Sequence, residues 1–258
     1  MNDSNTFNVN LNGKVALITG ASSGIGRAVS RAYAQNGCKV YVNYPPAEGE
    51  NAASALVESI MQAGHSAEMA PADVSQPDQV TSMLSRIINT EGQIDILVNN
   101  AGIARAAPIH KIALEDWRDI MDVHVLGTFL CTKAVLPIMY KRNSGRIINT
   151  ASQLAYKGAP GFAHYTAAKG AIISFTRSLA LEIGERDITA NCVAPGATLT
   201  PILKDVPDDM LEEIRKAIPR GKIADVNEIV GTYLFLASDS SSHFRGQCLS
   251  PNGGDVFL

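Results

Sequence analysis

Short apolar runs alternate with longer amphipathic segments throughout the chain, and this alternation constrains the fold more than any other feature. The apolar runs predict strands at residues 15–18, 40–42, 67–70, 94–98, 146–149, 189–193 and 247–250, and helical apolar spacing fills the intervals. A helix between two strands returns the chain to the same end of the sheet, so successive strands run parallel. The sequence therefore predicts a doubly wound α/β fold with about seven parallel strands and helices on both faces.

The composition is typical of one globular domain with a small-molecule partner. With 258 residues and 46% hydrophobic content, the chain can bury a large core, and no long linker divides it. We expect a polar N-terminal extension at residues 1–12 and a single domain at residues 13–258. The 22 basic and 25 acidic residues are scattered and leave a net charge of −3, which favours neither nucleic acid nor an anionic membrane as a partner.

Cysteine spacing and segment hydrophobicity indicate the compartment. The four cysteines have neither metal-ligand nor disulfide-framework spacing, and the first ten residues lack the charged and apolar regions of a signal peptide. No uninterrupted apolar run reaches about 18 residues, the length that indicates a membrane span. We therefore expect a reduced, cytoplasmic protein with no metal site and no membrane segment.

A glycine-rich segment follows the first predicted strand. Residues 19–26 read Thr-Gly-Ala-Ser-Ser-Gly-Ile-Gly, and helical apolar spacing follows them. In a strand–turn–helix unit these glycines suit a dinucleotide site: Gly20 permits the turn, Gly24 lets the backbone approach a pyrophosphate, and Gly26 allows close helix packing. Glycines at such a junction are also ordinary turn residues, so this segment alone leaves both interpretations open.

Tyr165 and Lys169 are four residues apart on a predicted helix, and Ser152 lies thirteen residues before the tyrosine. Positions i and i+4 share a helix face, so an ammonium group at 169 is expected to favour the ionised phenol at 165. A tyrosine whose pKa is lowered from about 10 can serve as a general acid or base near neutral pH. The alternative is an amphipathic helix face without a chemical role.

Together these motifs resemble the short-chain dehydrogenase/reductase family, and the resemblance extends over nearly the whole chain. Further matches, in the family's order, are Asp73-Val74, Asn99-Asn100-Ala101-Gly102, the run Asn191-Cys-Val-Ala-Pro-Gly196 followed by Thr200, and Gly253-Gly254. The resemblance implies a Rossmann-type fold and an oxidoreductase that transfers hydride between a nicotinamide and a carbonyl or secondary alcohol.

The resemblance also implies catalytic roles. Tyr165 would give a proton to the carbonyl oxygen, Ser152 would hydrogen-bond that oxygen, and Lys169 would lower the tyrosine pKa and hold the nicotinamide ribose. A protein that senses nucleotides without catalysis is the alternative from another class, and such proteins usually lose the Tyr/Lys pair. Because the triplet persists here, we expect an enzyme.

His124 occupies the position where the family usually has asparagine, the fourth catalytic residue in many members. That asparagine supports a water molecule that links the lysine to solvent. A histidine can also hydrogen-bond water and could titrate near neutral pH, so one interpretation keeps the relay with an altered pH dependence. The other is a packed helix residue that hydrogen-bonds the backbone.

Cofactor preference depends on the end of the second strand. NAD-dependent members have an acidic residue there, whereas this chain has Tyr44. We therefore expect NADP(H) to be preferred and NAD(H) to be usable, with Ser22, Ser23 and Asn43 as uncharged donors to a 2′-phosphate. The predicted cofactor-binding residues are Gly20, Ser22, Ser23, Gly24, Ile25, Gly26, Asn43, Tyr44, Asp73, Val74, Asn100, Ala101, Gly102, Tyr165, Lys169, Pro195, Gly196, Thr198 and Thr200.

The substrate is the least readable feature. In similar enzymes, the region that corresponds to residues 197–222 is a mobile lid over the substrate. Gln153, Leu154 and Tyr156 follow the catalytic serine and are predicted substrate neighbours. Two subclasses stay open: 3-oxoacyl-acyl-carrier-protein reductases, and glucose 1-dehydrogenases with related sugar or polyol dehydrogenases.

Carrier docking separates these subclasses, because an acyl carrier protein is acidic. Lys141, Arg142 and Arg146 could supply the basic surface, but Leu181 stands where such reductases commonly have arginine. The resemblance also implies pairing of subunits through two long helices, here at about residues 112–142 and 162–184. We therefore expect a homotetramer or a homodimer.

Overall fold

Seven parallel strands form one sheet in the computed structural model, which describes residues 9–204 and 206–257. They are β1 (Val15–Ile18), β2 (Lys39–Tyr44), β3 (Ala67–Pro71), β4 (Ile96–Asn99), β5 (Gly145–Thr150), β6 (Ile188–Val193) and β7 (Cys248–Leu249). Their spatial order is β3-β2-β1-β4-β5-β6-β7. This order confirms the predicted doubly wound sheet.

Helices cover both faces of this sheet. They are α1 (Gly24–Gln35), α2 (Glu50–Gln62), α3 (Pro77–Glu91), α4 (Leu114–Met121), α5 (Gly127–Arg142), α6 (Leu154–Lys157), α7 (Ala163–Ile183), α8 (Asp208–Ala217) and α9 (Val226–Ala237). A π-helical turn, Asp122–Leu126, joins α4 to α5. The helix predicted at 112–142 is thus irregular in the middle, where a π turn inserts an extra residue into the helical ladder.

Two apolar clusters lie on opposite faces of the sheet. Ile18 and Val42 belong to the cluster with α1, α2 and α9, while Leu17 and Leu97 belong to the cluster with α3, α5 and α7. Leu17 and Ile18 are adjacent in β1 and enter different clusters because successive side chains of a strand alternate. Leu11, within the predicted extension, is also buried in the first cluster. Residues 1–8 of that extension lie outside the described residues.

The helical segment Leu114–Arg142 is long and apolar enough to cross a membrane by length and composition. Within it, Cys131, Val135 and Met139 pack into the cluster beneath the sheet. Packing inside the fold therefore accounts for part of its apolar composition.

The strand order reverses between β1 and β4. The chain builds one half of the sheet through β2 and β3 and the other half through β4 to β7. In open parallel sheets, ligands bind beyond the carboxyl ends of the strands at such a reversal. The glycine turn after β1, Asn100 after β4, Ser152 after β5 and Pro195 after β6 all lie at this edge.

Candidate active site

The glycine turn brings the end of β1 against the end of β4. Gly20 has a φ of +60°, and a Cβ atom there would lie 2.7 Å from Cα of Ala101. A Cβ atom at Gly26 would lie 2.6 Å from Nδ2 of Asn100. α1 begins at Gly24, which has a φ of +53°. Gly20 and Gly26 thus allow the two strand ends to touch, a contact that the sequence did not predict.

The first turn of α1 presents backbone and side-chain donors. Ser23 is its N-cap, but the serine side chain makes no capping hydrogen bond and is exposed. Ser22 is half-buried beside it, and Ile25 packs against the core. The first N–H groups of a helix have no partner within the helix, and together with two hydroxyls they suit an anion. The residues present therefore fit a pyrophosphate.

Asn43 is bonded internally, which corrects its predicted role as a phosphate donor. Its Nδ2 donates to the carbonyl oxygens of Ala70 at 3.0 Å and Ala72 at 2.9 Å, while Oδ1 accepts from the amide of Gly20 at 3.2 Å. The side chain is 1% exposed and fastens β2 to β3 and to the glycine turn. Tyr44 ends β2 and is also buried, which raises its pKa.

Thr19 and Asn100 hold the glycine turn to β4. Thr19 Oγ1 accepts from the amides of Asn100 at 2.9 Å and Ala101 at 3.0 Å. Asn100 Nδ2 donates to the carbonyl oxygens of Thr19 at 2.9 Å and Gly20 at 3.2 Å. These side chains shape the crevice by fixing its backbone.

Asp73 and Val74 follow β3. Asp73 Oδ1 accepts from the amide of Ser75 at 2.9 Å and from its hydroxyl at 2.7 Å. Val74 is buried, and its side chain packs on Gly127. Both residues stabilise the loop at the carboxyl edge, and their contact with a cofactor stays a prediction.

The Ser152 hydroxyl lies close enough to the Tyr165 phenol to act on its pKa. Ser152 follows β5, is 7% exposed, and also accepts at Oγ from the amide of the half-buried Leu154 at 3.1 Å. Tyr165 lies in the first turn of α7, with the Phe162 ring edge-on to its own at a centroid distance of 6.1 Å. Burial raises the pKa of Tyr165, and the Ser152 hydroxyl opposes that rise.

Lys169 lies one helical turn after Tyr165 and is buried. Its Nζ donates to the carbonyl oxygen of Thr150 at 2.7 Å and lies 5.7 Å from the centroid of the Tyr165 ring. Burial lowers the pKa of Lys169 to about 7. The prediction that the pKa of Tyr165 falls below its ordinary value is wrong in this structure, because the effect of burial on the phenol is larger and has the opposite sign.

His124 lies in the π-helical turn and is 1% exposed. Its Nε2 is 2.8 Å from the carbonyl oxygen of Ile103 and 3.1 Å from its amide nitrogen. The imidazole is edge-on to Tyr165 at a centroid distance of 5.4 Å and covers Gly102, where a Cβ atom would lie 2.5 Å from Cε1. This geometry matches the interpretation of a packed residue that hydrogen-bonds the backbone.

The charge state of His124 follows from this burial. Burial, assisted by the nearby positive charge of Lys169, lowers the pKa of His124 to about 3. The prediction that it could titrate near neutral pH is therefore wrong. The imidazole is neutral at physiological pH, and its Nδ1 finds no hydrogen-bond partner among the described residues.

The predicted lid begins directly over the glycine turn. Thr198 is buried, bonds the carbonyl oxygen of Gly196 at 2.9 Å, and forms an isolated parallel bridge with Ala224. The methyl carbon of Thr200 would lie 3.3 Å from a Cβ atom placed on Gly24. Thr200 therefore lies beside the turn, whereas Thr198 is held by Gly196 and Ala224, and the contact of both threonines with a cofactor stays a prediction.

A C-terminal carboxylate engages residues that follow Ser152. Asp255 accepts from Nε2 of Gln153 at 2.6 Å and from Nζ of Lys157 at 2.6 Å. Gln153 is 4% exposed, and Tyr156 lies near the thiol of Cys248. Asp255 thus engages the amide nitrogen of Gln153, Tyr156 is 37% exposed, and the contact of these residues with a substrate stays a prediction.

Known proteins match the chain over nearly its full length. A family model described as enoyl-(acyl carrier protein) reductase matches residues 20–255. A 3-oxoacyl-[acyl-carrier-protein] reductase of Synechocystis sp. is 41% identical over 249 residues, which cover 96% of this chain and 99% of that protein. The chain belongs to the short-chain dehydrogenase/reductase family.

Two further matches show the range within this family. A (2S)-[(R)-hydroxy(phenyl)methyl]succinyl-CoA dehydrogenase subunit of Thauera aromatica is 39% identical over 241 residues, 93% of this chain and 96% of that protein. A solved gluconate 5-dehydrogenase of Burkholderia cenocepacia, in complex with NADP and tartrate, superposes with a TM-score of 0.90 at 34% identity, covering 95% of this chain and 96% of that chain. The predicted fold and oxidoreductase class are confirmed.

The basic residues predicted to dock a carrier lie at the opposite edge of this short-chain dehydrogenase/reductase. Arg142 pairs at 2.9 Å with Asp95, which precedes β4, and Lys141 is its neighbour at the end of α5. Arg146, in the first half of β5, is 7% exposed and contacts the carboxylate of Asp187 at 3.4 Å. These residues are at the amino ends of the strands, so the prediction that they dock a carrier at the substrate entrance is wrong.

Sequence reasoning missed three residues of this short-chain dehydrogenase/reductase site. Thr19 was read only as part of the glycine motif, although its hydroxyl organises two amides. Asp255 lies 102 positions after Gln153, so no local pattern connects them. His164, which precedes Tyr165, is 1% exposed, and its Nδ1 lacks a partner among the described residues. Thr19 and His164 stand in or beside recognised motifs, whereas no local pattern points to Asp255.

Proposed function

We propose that this short-chain dehydrogenase/reductase reduces a ketone carbonyl, or oxidises the corresponding secondary alcohol, with Tyr165 as general acid or base. The observation that carries the proposal is the closeness of the Ser152 hydroxyl to the Tyr165 phenol, whose pKa it lowers, beside Lys169 and at the same sheet edge as the glycine turn. Two hydroxyls that meet in this way can both hydrogen-bond one substrate oxygen. A bound nicotinamide supplies or accepts the hydride.

The protonation state of Tyr165 favours carbonyl reduction near neutral pH. Because burial raises the pKa of the phenol, Tyr165 holds a proton that it can give to a carbonyl oxygen as negative charge develops there. The phenolate that results lies near the ammonium of Lys169, whose positive charge stabilises it. Ser152 donates a hydrogen bond to the same substrate oxygen and so orients the carbonyl.

His124 serves as a positioning residue in this proposal. The neutral imidazole holds the backbone of Ile103 beyond β4 and packs edge-on against Tyr165. A low pKa argues against proton transfer by the imidazole itself. His124 therefore supports the tyrosine by packing and hydrogen bonding, at a position where the family usually has a polar amide.

NADP(H) is the cofactor that the site residues favour. β2 ends in Tyr44 and not in a carboxylate, which removes one repulsion against a 2′-phosphate, and the hydroxyls of Ser22 and Ser23 lie at the start of α1. The solved gluconate 5-dehydrogenase is a complex with NADP. Since Asn43 is bonded internally, it shapes the turn without contacting the phosphate. Comparing kcat/KM for NADPH and NADH tests this part, and a strong preference for NADH would refute it.

A 3-oxoacyl thioester is the first candidate substrate. Phe162 lies edge-on to the Tyr165 ring, the half-buried Leu154 follows Ser152 in the chain, and the amide of Gln153 is engaged by Asp255. Such surroundings suit an acyl chain, and the Synechocystis relative is a 3-oxoacyl reductase. A sugar acid is the second candidate, because the gluconate 5-dehydrogenase has nearly the same fold over 95% of the chain.

The decisive experiment combines a substrate panel with a tyrosine variant. A 3-oxoacyl-CoA, a 5-oxogluconate and simple ketones are assayed with NADPH and NADH. We expect Tyr165→Phe to lower kcat/KM by at least about 100-fold while nucleotide binding persists. Tyr140→Phe, at the end of α5 and away from the crevice, is the matched control. Near-normal turnover by Tyr165→Phe would overturn the assignment, and no turnover of any carbonyl by the wild type would favour a nucleotide-sensing protein.

The family is commonly oligomeric, and we propose a cytoplasmic homotetramer for this chain. Phe129 on α5 and Leu181 on α7 are 43% and 84% exposed, so each of the two long helices presents a large apolar side chain to solvent. Light scattering during size-exclusion chromatography measures the mass of the assembly. A monomer over the micromolar range would refute the proposal.

A further inference from the structure

Cys192 and Cys248 form a thiol pair behind the active site. They are register partners in the neighbouring strands β6 and β7. Side chains of paired residues leave the same face of a sheet, and strands about 4.8 Å apart place Cα atoms within the range of about 4.4–6.8 Å found in disulfides. The two thiols are close enough to shift each other's pKa, and Sγ of Cys192 is 3.1 Å from Oγ1 of Thr176. The pair is thus placed for a covalent bond.

The two thiols differ in exposure and in charge. Cys248 is half-buried, whereas Cys192 is 1% exposed. The nearby Cys192 and Tyr156, with the positive charge of Arg177, lower the pKa of Cys248. The nearby Cys248 and burial raise the pKa of Cys192. Cys248 therefore has the features of an attacking thiolate, and Cys192 those of a resolving thiol.

The other cysteines of the described residues lack these features. Cys38 and Cys131 are buried in the two apolar clusters, and burial raises the pKa of each thiol to about 12. Neither has a second cysteine as a register partner. Buried thiols of this kind are inert toward oxidants, so they serve as internal references.

We propose that Cys192 and Cys248 are a site of reversible oxidation by hydrogen peroxide. The Cys248 thiolate attacks the peroxide: an S–O bond forms, the O–O bond breaks, hydroxide leaves, and the sulfur is oxidised by two electrons to a sulfenic acid. The Cys192 sulfur then attacks the Cys248 sulfur. An S–S bond forms, the S–O bond breaks, and the hydroxyl leaves with the Cys192 proton as water. In a reducing compartment, such a disulfide is transient and is reversed by thiols.

The bond would fasten the C-terminal segment to the sheet. Ser250 and Pro251 follow β7 and already bond Ala194 and Gly196 after β6. Beyond them, a Cβ atom on Gly253 would lie 2.8 Å from Ile218, at the base of the predicted lid. Oxidation therefore restrains the segment that closes over this base, and amide hydrogen exchange at residues 249–256 should slow at least twofold.

The experiment counts thiols in the full-length protein before and after treatment with hydrogen peroxide. Denatured protein should fall from four free thiols to two, and peptide mass spectrometry should find one disulfide that joins Cys192 to Cys248. Dithiothreitol should restore all four. Cys131→Ala should still form the disulfide, whereas Cys248→Ser should keep all of its free thiols after treatment.

Three results would overturn the proposal: four free thiols after treatment, a disulfide between other cysteines, or oxidation of Cys248 to a sulfinic acid without cross-linking. If Cys248→Ser folds poorly, Cys192→Ala provides a second test. This variant lacks the resolving thiol, so peroxide should leave Cys248 as a sulfenic acid that a dimedone probe captures. If the disulfide forms but exchange at residues 249–256 is unchanged, the mechanical consequence is wrong.

Discussion

The buried imidazole of His124 predicts a loss of stability in mild acid. Burial and the charge of Lys169 lower its pKa from 6.5 to about 3 in the folded protein. At pH values between these two, the unfolded chain binds a proton at His124 that the folded chain does not. The contribution of His124 to stability is therefore fully present above pH 6.5 and is lost as the pH falls toward 3. For one such group, the free energy of unfolding at about pH 5 is about 2 kcal/mol lower than at about pH 7.5.

His124→Asn isolates this contribution. The substitution also leaves a cavity, but that cost is nearly independent of pH and cancels when the two pH values are compared. Urea unfolding of both proteins is measured at about pH 5 and about pH 7.5, at equal protein concentration and ionic strength. The wild type should lose about 2 kcal/mol more than the variant over this interval.

An exposed histidine supplies the control. His243→Gln removes an imidazole from the surface and should leave the pH dependence of the wild type in place. If wild type and His124→Asn lose equal stability in acid, or the variant loses more, then His124 is not held neutral by burial. A pH–rate profile of His124→Asn adds a second test, because a titrating relay near pH 7 would shift that profile whereas a positioning residue would lower kcat without moving its midpoints.

Three other variants test separate contacts. Gly102→Ala should destabilise the fold by about 1–3 kcal/mol in urea unfolding, because its Cβ atom would lie 2.5 Å from the His124 ring, and unchanged stability would show that the ring can move. Asn43→Ala should cost about 1–3 kcal/mol by leaving buried groups unpaired, while the ratio of kcat/KM for NADPH and NADH stays the same; a selective loss with NADPH would restore a phosphate contact. Asp255→Ala should raise the substrate KM more than it lowers kcat, because it releases Gln153 and Lys157, and a pure kcat effect would contradict this role.

Local sequence patterns predicted those parts of the site that depend on neighbours along the chain. The i, i+4 spacing of Tyr165 and Lys169 and the strand–turn–helix context of the glycine segment both predicted the right elements. The carboxyl ends of parallel strands share one edge, so the meeting of these motifs also followed from the order of elements. Local patterns could not predict that a polar side chain such as Asn43 is used up in hydrogen bonds within the protein.

Only the tertiary structure decided the protonation states of the titrating groups and the hydrogen-bond partners of the polar side chains. The sequence determined a parallel α/β fold, a crevice at one edge and the residues that lie there, because hydrophobic period and turn chemistry are local properties. The state of each titrating group depends on burial and on neighbours from distant elements: Tyr165 keeps its proton, His124 is neutral, and Asp255 engages Gln153 from 102 positions away. Desolvation acts through three-dimensional packing, which spacing along the chain does not encode.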